Sequence, residues 1–320
     1  MSANRSIEGA VLKVFASYVE NGVTKYITGS GFMVGPNSLV TALHAAFPFG
    51  HSPVFIKAIS NTGQTFTVDV TATQDFVDQS AWYQKFLAQG GASPSETATD
   101  IAVLKTDKAI GFDTGWFQLY DLDNGKVWVF GYPGGVYKAY PDGTLEDTSW
   151  LGANYSHIAG VPAIPGTSGG LVMDTAGHAV AVVSGGGDTG IGAVDLSPEL
   201  IAKVQGSIAV NDAAIAPEIA GRESYFLAHQ LSAPWAELNL SSLVVQQNWA
   251  SVTSTFETAL LSAIQGVGPD VAVDFIAGAF GISLSPADHQ ALAAEMEAHP
   301  VALIGVLEQA MLPLMGTIPM

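Results

Sequence analysis

The chain has 320 residues, of which 48% are hydrophobic and 12% charged, a composition that folds around a core and excludes a disordered protein. It carries 11 Lys and Arg against 29 Asp and Glu, a formal net charge of −18 that argues against a nucleic-acid partner and against binding to anionic membranes. Cys is absent, which excludes disulfides, thiolate zinc sites and a cysteine nucleophile.

The first residues and the apolar runs bear on localisation. Residues 1–8 contain Asn, Arg and Glu where the apolar region of a cleaved secretory signal would begin. No apolar run reaches the roughly 18 residues that a membrane span needs, so we predict no span. A strongly acidic, Cys-free chain with few Lys and Arg resembles bacterial proteins exported without a cleaved N-terminal signal. We therefore expect a secreted protein, with a cytoplasmic one as the alternative.

Short β runs separated by turns dominate residues 7–205. The turns are Asn-Gly, Pro-Asn and Pro-Asp-Gly, and this texture is typical of a barrel or sandwich. Examples of the predicted strands are residues 10–18, 31–34, 38–42, 65–70, 101–105, 126–131, 170–173 and 179–184. A short helix is predicted at residues 80–89, and a connection between two barrels near residues 110–123.

The last third of the chain has a different composition and periodicity. The last basic residue is Arg222, and residues 223–320 contain nine acids and no Lys or Arg. Apolar residues recur every three or four positions over residues 240–264, which predicts one amphipathic helix. They are Val245, Trp249, Val252, Phe256, Leu260 and Ile264. A second helix is predicted to start at Ser285-Pro286, and another over residues 301–312.

Three segments carry residues suited to acyl transfer. His44 ends the segment GSGFMVGPNSLVTALH, Asp100 opens the apolar run of TDIAVLK, and Ser168 lies in the turn PGTSGG. A serine nucleophile needs an imidazole to take its proton and a carboxylate to orient that imidazole. It also needs backbone N–H groups directed at the developing oxyanion. All these parts are present, in the order His, Asp, Ser.

These segments resemble the chymotrypsin-like serine endopeptidases, in the bacterial branch that contains the glutamyl endopeptidases and the HtrA-type proteases. VWVFGYPGG and GIGAVDLSPELI are similar to strands of the second barrel in that family. The resemblance covers residues 7–205. It implies a mainly β protein of two six-stranded antiparallel Greek-key barrels, residues 1–115 with His44 and Asp100 and residues 116–208 with Ser168. A helical domain at 209–320 would follow.

The resemblance also implies a role for each residue. His44 is the general base, Asp100 its orienting carboxylate and Ser168 the nucleophile, and the N–H groups of Gly166 and Ser168 form the oxyanion hole. No cofactor or metal is required. Thr167 stands where many family members have an Asp that pairs with a newly cleaved N-terminal amine. Since Thr cannot form that ion pair, we expect the barrels to be competent without such cleavage.

The residues expected to contact the substrate contain no acid that would receive Lys or Arg. They are Ala163, Ile164, Val183, Ser184, Gly185 and Gly186. Val183 also lies near the position where glutamyl endopeptidases have a His, so a preference for Glu loses its main support. The sequence therefore predicts protein or peptide substrates with a small or medium apolar P1 residue.

Several alternatives remain open at this stage. The chain is alternatively a catalytically silent or tail-inhibited protease fold that acts as a binding module. The helical tail is expected to pack on the barrels or on a protein partner. His51 and His157 are interpreted as structural, and Asp75 and Asp78 as loop carboxylates rather than rivals of Asp100. The acid-rich loops match no EF-hand spacing, so a solvated surface is favoured over a Ca²⁺ site.

Overall fold

The computed structural model describes residues 6–69, 99–122, 124–147, 154–187, 190–230, 240–279 and 283–299. The chain divides into two compact units, with the boundary between Ala214 and Ile215. The helices predicted at 80–89 and 301–312 lie outside the described residues, as do Asp75 and Asp78.

The first barrel closes six antiparallel strands in the order β1-β2-β3-β6-β5-β4. They are β1 (Val11–Glu20), β2 (Val23–Met33), β3 (Ser38–Thr41), β4 (Phe55–Ile59), β5 (Thr65–Asp69) and β6 (Ala102–Thr106). Asn21 and Gly22, with φ of 51° and 75°, join β1 to β2 in the predicted two-residue turn. Fully buried side chains fill the interior, among them Leu12, Phe32, Leu39, Ile56 and Leu104.

The second barrel closes in the order β10-β11-β12-β9-β8-β7. Its strands are β7 (Gly125–Gly131), β8 (Lys138–Asp147), β9 (Tyr155–Ala159), β10 (Leu171–Asp174), β11 (Ala179–Gly187) and β12 (Gly190–Asp195). The core holds small and branched residues, including Val127, Val129, Ile158, Val172 and Ala181. The two closed barrels confirm the predicted mainly β, chymotrypsin-like fold.

One predicted turn is wrong. Pro141-Asp142-Gly143 was expected to reverse the chain, but β8 continues through it. Tyr140 pairs with Val129 and Gly143 with Val127, so that Pro141 and Asp142 stand opposite Trp128 alone. This is a β-bulge. Proline has no N–H to donate to the neighbouring strand, and a bulge tolerates it because the extra residue is left unpaired.

Three one-turn α-helices and one of 16 residues accompany the barrels in the described part of the first unit. They are α1 (Ile7–Ala10), α2 (Leu43–Ala46), α3 (Gly111–Thr114) and α4 (Pro198–Ala213). Asn211, buried near the end of α4, donates from Nδ2 to Ser38 Oγ at 3.0 Å, and its carbonyl accepts from Asn37 at 3.2 Å. These bonds fix α4 to the first barrel, so the first unit extends a few residues beyond the predicted boundary at 208.

The second unit is helical in its described part. Its helices are α5 (Ala216–Gln230), α6 (Leu240–Val245), α7 (Trp249–Val267), α8 (Pro269–Ala279) and α9 (Pro286–Ala298). Val252, Phe256 and Leu260 are buried in a core of its own, as the periodicity predicts. The prediction of a single helix over 240–264 is wrong. The helix is interrupted at Gln247, whose φ is 54°, and Val245 at the end of α6 is 78% exposed.

Two further observations concern these helices. Ser285 caps α9, its Oγ accepting from the N–H of Asp288 at 3.2 Å, so the predicted helix start is confirmed. Of the helices described above, none is both long enough and apolar enough to cross a membrane.

Candidate active site

His44 and Asp100 form a hydrogen-bonded pair at neighbouring strands of the first barrel. The chain leaves β3 and enters α2, which carries His44, while Asp100 lies just before β6, the strand that pairs with β3. The backbone N–H of His44 donates to Asp100 Oδ1 at 2.9 Å, and its ring Nδ1 lies 2.7 Å from Oδ2. Because an ionised carboxylate only accepts, Nδ1 carries the proton and Nε2 is left as the basic nitrogen.

The environment shifts the pKa of both groups. Asp100 is 1% exposed. Burial alone would raise its pKa, but the charge and hydrogen bonds of His44 and the hydroxyl of Ser184 outweigh burial and lower the pKa below its ordinary value. Burial alone would lower the pKa of His44, but the Asp100 carboxylate outweighs it and the pKa is raised. The His44 side chain stays 30% exposed, so one side of the ring is accessible.

Ser184 connects the Asp100 carboxylate with Ser168. Its buried Oγ donates to Asp100 Oδ2 at 2.6 Å, and its carbonyl accepts from Ser168 Oγ at 3.3 Å. The hydroxyl of Tyr155, in β9, is a further side-chain partner of Ser184. Sequence reasoning missed Tyr155, because no pattern in β9 marks it.

The nucleophile loop, residues 164–170 around Ser168, packs against the strands that lead to His44. A Cβ on Gly29 would lie 2.8 Å from the Cβ of Ala45 and 3.0 Å from the carbonyl oxygen of Ser168. Gly169, with φ of 83°, has no room for any side chain, because a Cβ there would overlap the carbonyl oxygen of Ser30. The three segments that the sequence singles out therefore meet in one place.

The carbonyl groups of residues 164–168 are all engaged, which determines where the N–H groups of Gly166 and Ser168 point. The acceptors and donors are Ile164 O with Thr167 N at 3.1 Å, Pro165 O with Gly134 N at 2.8 Å, Gly166 O with Ser30 Oγ at 2.7 Å, Thr167 O with Gly170 N at 2.8 Å, and Ser168 O with Ser30 N at 2.7 Å. In a trans peptide the N–H points opposite to the carbonyl. The N–H groups of Gly166 and Ser168 thus point away from these anchors, and neither has an acceptor among the described residues.

The residues predicted to line the substrate pocket occupy two facing segments. Ala163 and Ile164 are exposed, and Gly186 in β11 comes so close that a Cβ on it would overlap the Cβ of Ala163. The hydroxyl of Tyr155 lies 4.0 Å from a Cβ built on Gly185. Val183 is 1% exposed and packs in the core of the second barrel, so its side chain lies in the barrel interior.

The two other histidines considered from the sequence, His51 and His157, contact an aromatic ring and a carboxylate, respectively. His51 stacks on Tyr18 with 5.3 Å between the ring centroids. The Nδ1 atom of His157 lies 3.6 Å from Oε2 of Glu146. Across the parts of the chain that the structure describes, no three His, Asp or Glu side chains come together in a way that would hold a metal ion.

Part of the chain that contains this arrangement also matches a known protein family. Residues 29–182 match the family model of the trypsin-like peptidase domain, a segment that contains His44, Asp100 and Ser168. Over that segment, slightly less than half of its length, the chain is similar to a trypsin-like peptidase domain. No curated protein sequence matches the chain.

Three solved protease structures are similar to the chain at low sequence identity. A Glu endopeptidase structure has a TM-score of 0.47 and 18% identity, covering 64% of this chain and 93% of its own. The active form of the Rv3671c protease from M. tuberculosis has a TM-score of 0.44 and 19% identity, covering 63% of this chain and 81% of its own. A serine endoprotease from Yersinia pestis has a TM-score of 0.44 and 18% identity, covering 63% of this chain and 64% of its own. At these values the likenesses say nothing about the activity of this chain.

Proposed function

We propose that the chain is a serine endopeptidase that cleaves protein or peptide substrates with Ser168, His44 and Asp100. The observation that carries this proposal is the Asp100 carboxylate, which is buried and accepts two hydrogen bonds from His44 and one from Ser184. An ionised carboxylate is costly to bury unless it has a task or a partner. Here its partner is an imidazole whose second nitrogen is left basic.

The chemistry proceeds in two transfers. His44 Nε2 takes the proton of Ser168 as Oγ attacks the peptide carbonyl carbon, and the resulting oxyanion is bound by the N–H groups of Gly166 and Ser168. Collapse breaks the C–N bond, His44 protonates the leaving amine, and an ester to Ser168 remains. Water, deprotonated by His44, then attacks the carbonyl carbon of this ester. The bond to Ser168 Oγ breaks, His44 returns the proton to Oγ, and the acid is released. Asp100 stays ionised and stabilises the imidazolium throughout.

The P1 residue accepted is small and apolar, at the lower end of the range predicted from sequence. The close approach of Gly186 to Ala163 supports this, because two segments nearly in contact leave no slot for an aromatic ring. Ala163 and Ile164 provide apolar surface and no charge. A charged P1 side chain would be buried there without a partner, at a cost of several kcal/mol.

The activity is tested by covalent labelling and hydrolysis. Wild-type protein incubated with a fluorophosphonate should be modified at Ser168, and Ser168→Ala should lose both labelling and peptide hydrolysis. His44→Ala should lose them as well. His51→Ala is the matched control, since it removes an imidazole that stacks on Tyr18, and it should keep both. Folded wild-type protein that neither labels nor cleaves would favour the binding module over the enzyme.

A further inference from the structure

Every polar group of Ser30 is hydrogen-bonded, to the nucleophile loop, to the turn that follows β7 or to the neighbouring strand β3. It lies in β2 and is 0% exposed. Its hydroxyl donates to the carbonyl of Gly166 at 2.7 Å and accepts from the backbone N–H of Tyr132 at 2.8 Å. Its own N–H donates to the carbonyl of Ser168 at 2.7 Å, and its carbonyl accepts from Thr41 Oγ1 at 2.6 Å.

Two of these bonds anchor the Gly166–Thr167 and Ser168–Gly169 peptides, which lie on either side of the peptide that carries the N–H of Ser168. Turning the N–H of Gly166 or of Ser168 away from the cleft requires rotation of the peptide that contains it, and the adjoining peptides rotate with it. The bonds of Ser30 to Gly166 O and Ser168 O oppose that rotation. The residue between them, Thr167, is 2% exposed and bonds within the loop, its Oγ1 donating to Ile164 O at 2.8 Å.

Ser30 also joins the loop to the turn that follows β7. Tyr132 donates its N–H to the Ser30 hydroxyl, and Gly134 in the same turn donates its N–H to the carbonyl of Pro165 at 2.8 Å. Gly166 packs against this turn so closely that it has no room for a side chain, because a Cβ there would lie 2.6 Å from the carbonyl oxygen of Tyr132. One buried hydroxyl thus links the turn and the loop that would bind the oxyanion.

We infer that Ser30 is a positioning residue that holds the oxyanion hole in its working geometry before substrate binds. The inference rests on the proposed peptidase function. The loop carries no carboxylate at position 167 that an ion pair could anchor, and the bonds of Ser30 supply that anchor instead. Because the effect is on the oxyanion, Ser30 acts on the transition state and leaves ground-state binding of the substrate unchanged.

The test compares Ser30→Ala with Ser17→Ala in the full chain. Ser17 is 0% exposed in the neighbouring strand β1, and its hydroxyl has no hydrogen-bond partner in the described structure. Both variants remove one buried hydroxyl, but only the first removes a contact to the loop. Removal of an oxyanion donor costs about 10²- to 10³-fold in kcat, so loosening the loop through Ser30→Ala is expected to cost about 10- to 100-fold, with KM within about twofold. Ser17→Ala should match wild type.

A second readout separates positioning from general loss of structure. Affinity for a peptide aldehyde, whose hemiacetal oxygen occupies the oxyanion site, should fall in Ser30→Ala by the same factor as kcat/KM, while affinity for the product peptide stays constant. If Ser30→Ala does not fold, Ser30→Cys keeps the shape with a weaker donor and should show the same pattern.

The outcomes are distinct. A wild-type chain that neither labels nor cleaves overturns the peptidase function and this inference with it. An active wild type with kcat of Ser30→Ala within twofold, or with KM raised and kcat unchanged, overturns the role of Ser30 alone.

Discussion

Ser184 Oγ donates a 2.6 Å hydrogen bond to the same oxygen of Asp100, Oδ2, that faces the Nδ1 of His44 at 2.7 Å. One carboxylate oxygen therefore accepts hydrogen bonds from both a hydroxyl and an imidazole. The hydroxyl lowers the pKa of Asp100, and it also weakens the pull of the carboxylate on the imidazole proton. We therefore expect Ser184 to lower the basicity of His44 through Asp100.

Ser184→Ala should lower kcat/KM about tenfold, because a hydrogen bond to a charged group contributes roughly 1.5–3 kcal/mol and only part of it is specific to the transition state. It should also shift the acid limb of the pH–rate profile upward. Without the hydroxyl the carboxylate is more basic, so protonated His44 persists to higher pH. The measurement is kcat/KM against pH. An acid limb that moves to lower pH would contradict this account.

The wild-type pH profile follows from the raised pKa of His44. Catalysis needs the neutral imidazole, so kcat/KM should fall as pH drops through a midpoint above 6.5, the ordinary value. Asp100→Asn removes the charge that raises the pKa and cannot fix the same tautomer, and it should lower kcat by about 10⁴. NMR titration of His44 in a Ser168→Ala background, with and without Asp100→Asn, should show the pKa drop when the charge is removed.

Much of the fold is readable from sequence because the strands alternate and the turns are marked. Asn21-Gly22 specifies its hairpin by local chemistry alone. β4 is not among the strands named from the sequence, because Lys57 interrupts its apolar residues. β8 was missed because Pro141 and Gly143 signal a turn, whereas pairing with β7 on one side and β9 on the other holds them in a bulge. Tertiary pairing overrides local propensity there.

At the site, His44 and Asp100 could be predicted because their residue types carry the chemistry and their segments resemble a family. Ser30 and Tyr155 could not be predicted, because their roles depend on contacts with residues distant in sequence. Ser30 contacts Gly166, 136 positions away, and Tyr155 contacts Ser184, 29 positions away. Ser30 does lie inside the segment GSGF that leads to His44. Nothing in that segment indicates that its hydroxyl bonds to the nucleophile loop.

The pocket walls give a pair of opposite predictions. Ala163→Gly removes the methyl group that faces Gly186, so it should raise kcat/KM for a Leu P1 relative to an Ala P1, by roughly 10-fold since one methyl or methylene is worth about 1–3 kcal/mol. Gly186→Ala adds a methyl group that overlaps Ala163 and should reduce turnover of the Ala P1 substrate as well. The measurement is kcat/KM on peptides that differ only at P1. An unchanged Leu-to-Ala ratio in Ala163→Gly would mean that these residues do not bound the pocket.

The helical unit offers a test of its separate core. Phe256 is 0% exposed and packs with Val252 and Leu260, whereas Phe275 in α8 is 45% exposed. Phe256→Ala should lower the free energy of unfolding of this unit by about 3–5 kcal/mol, the cost of lost burial and a cavity. Phe275→Ala removes the same group from a surface and should change it by less than about 0.5 kcal/mol. Urea titration of the full chain, followed by the helical circular dichroism signal, measures both. Equal effects of the two substitutions would show that Phe256 does not lie at the centre of this core.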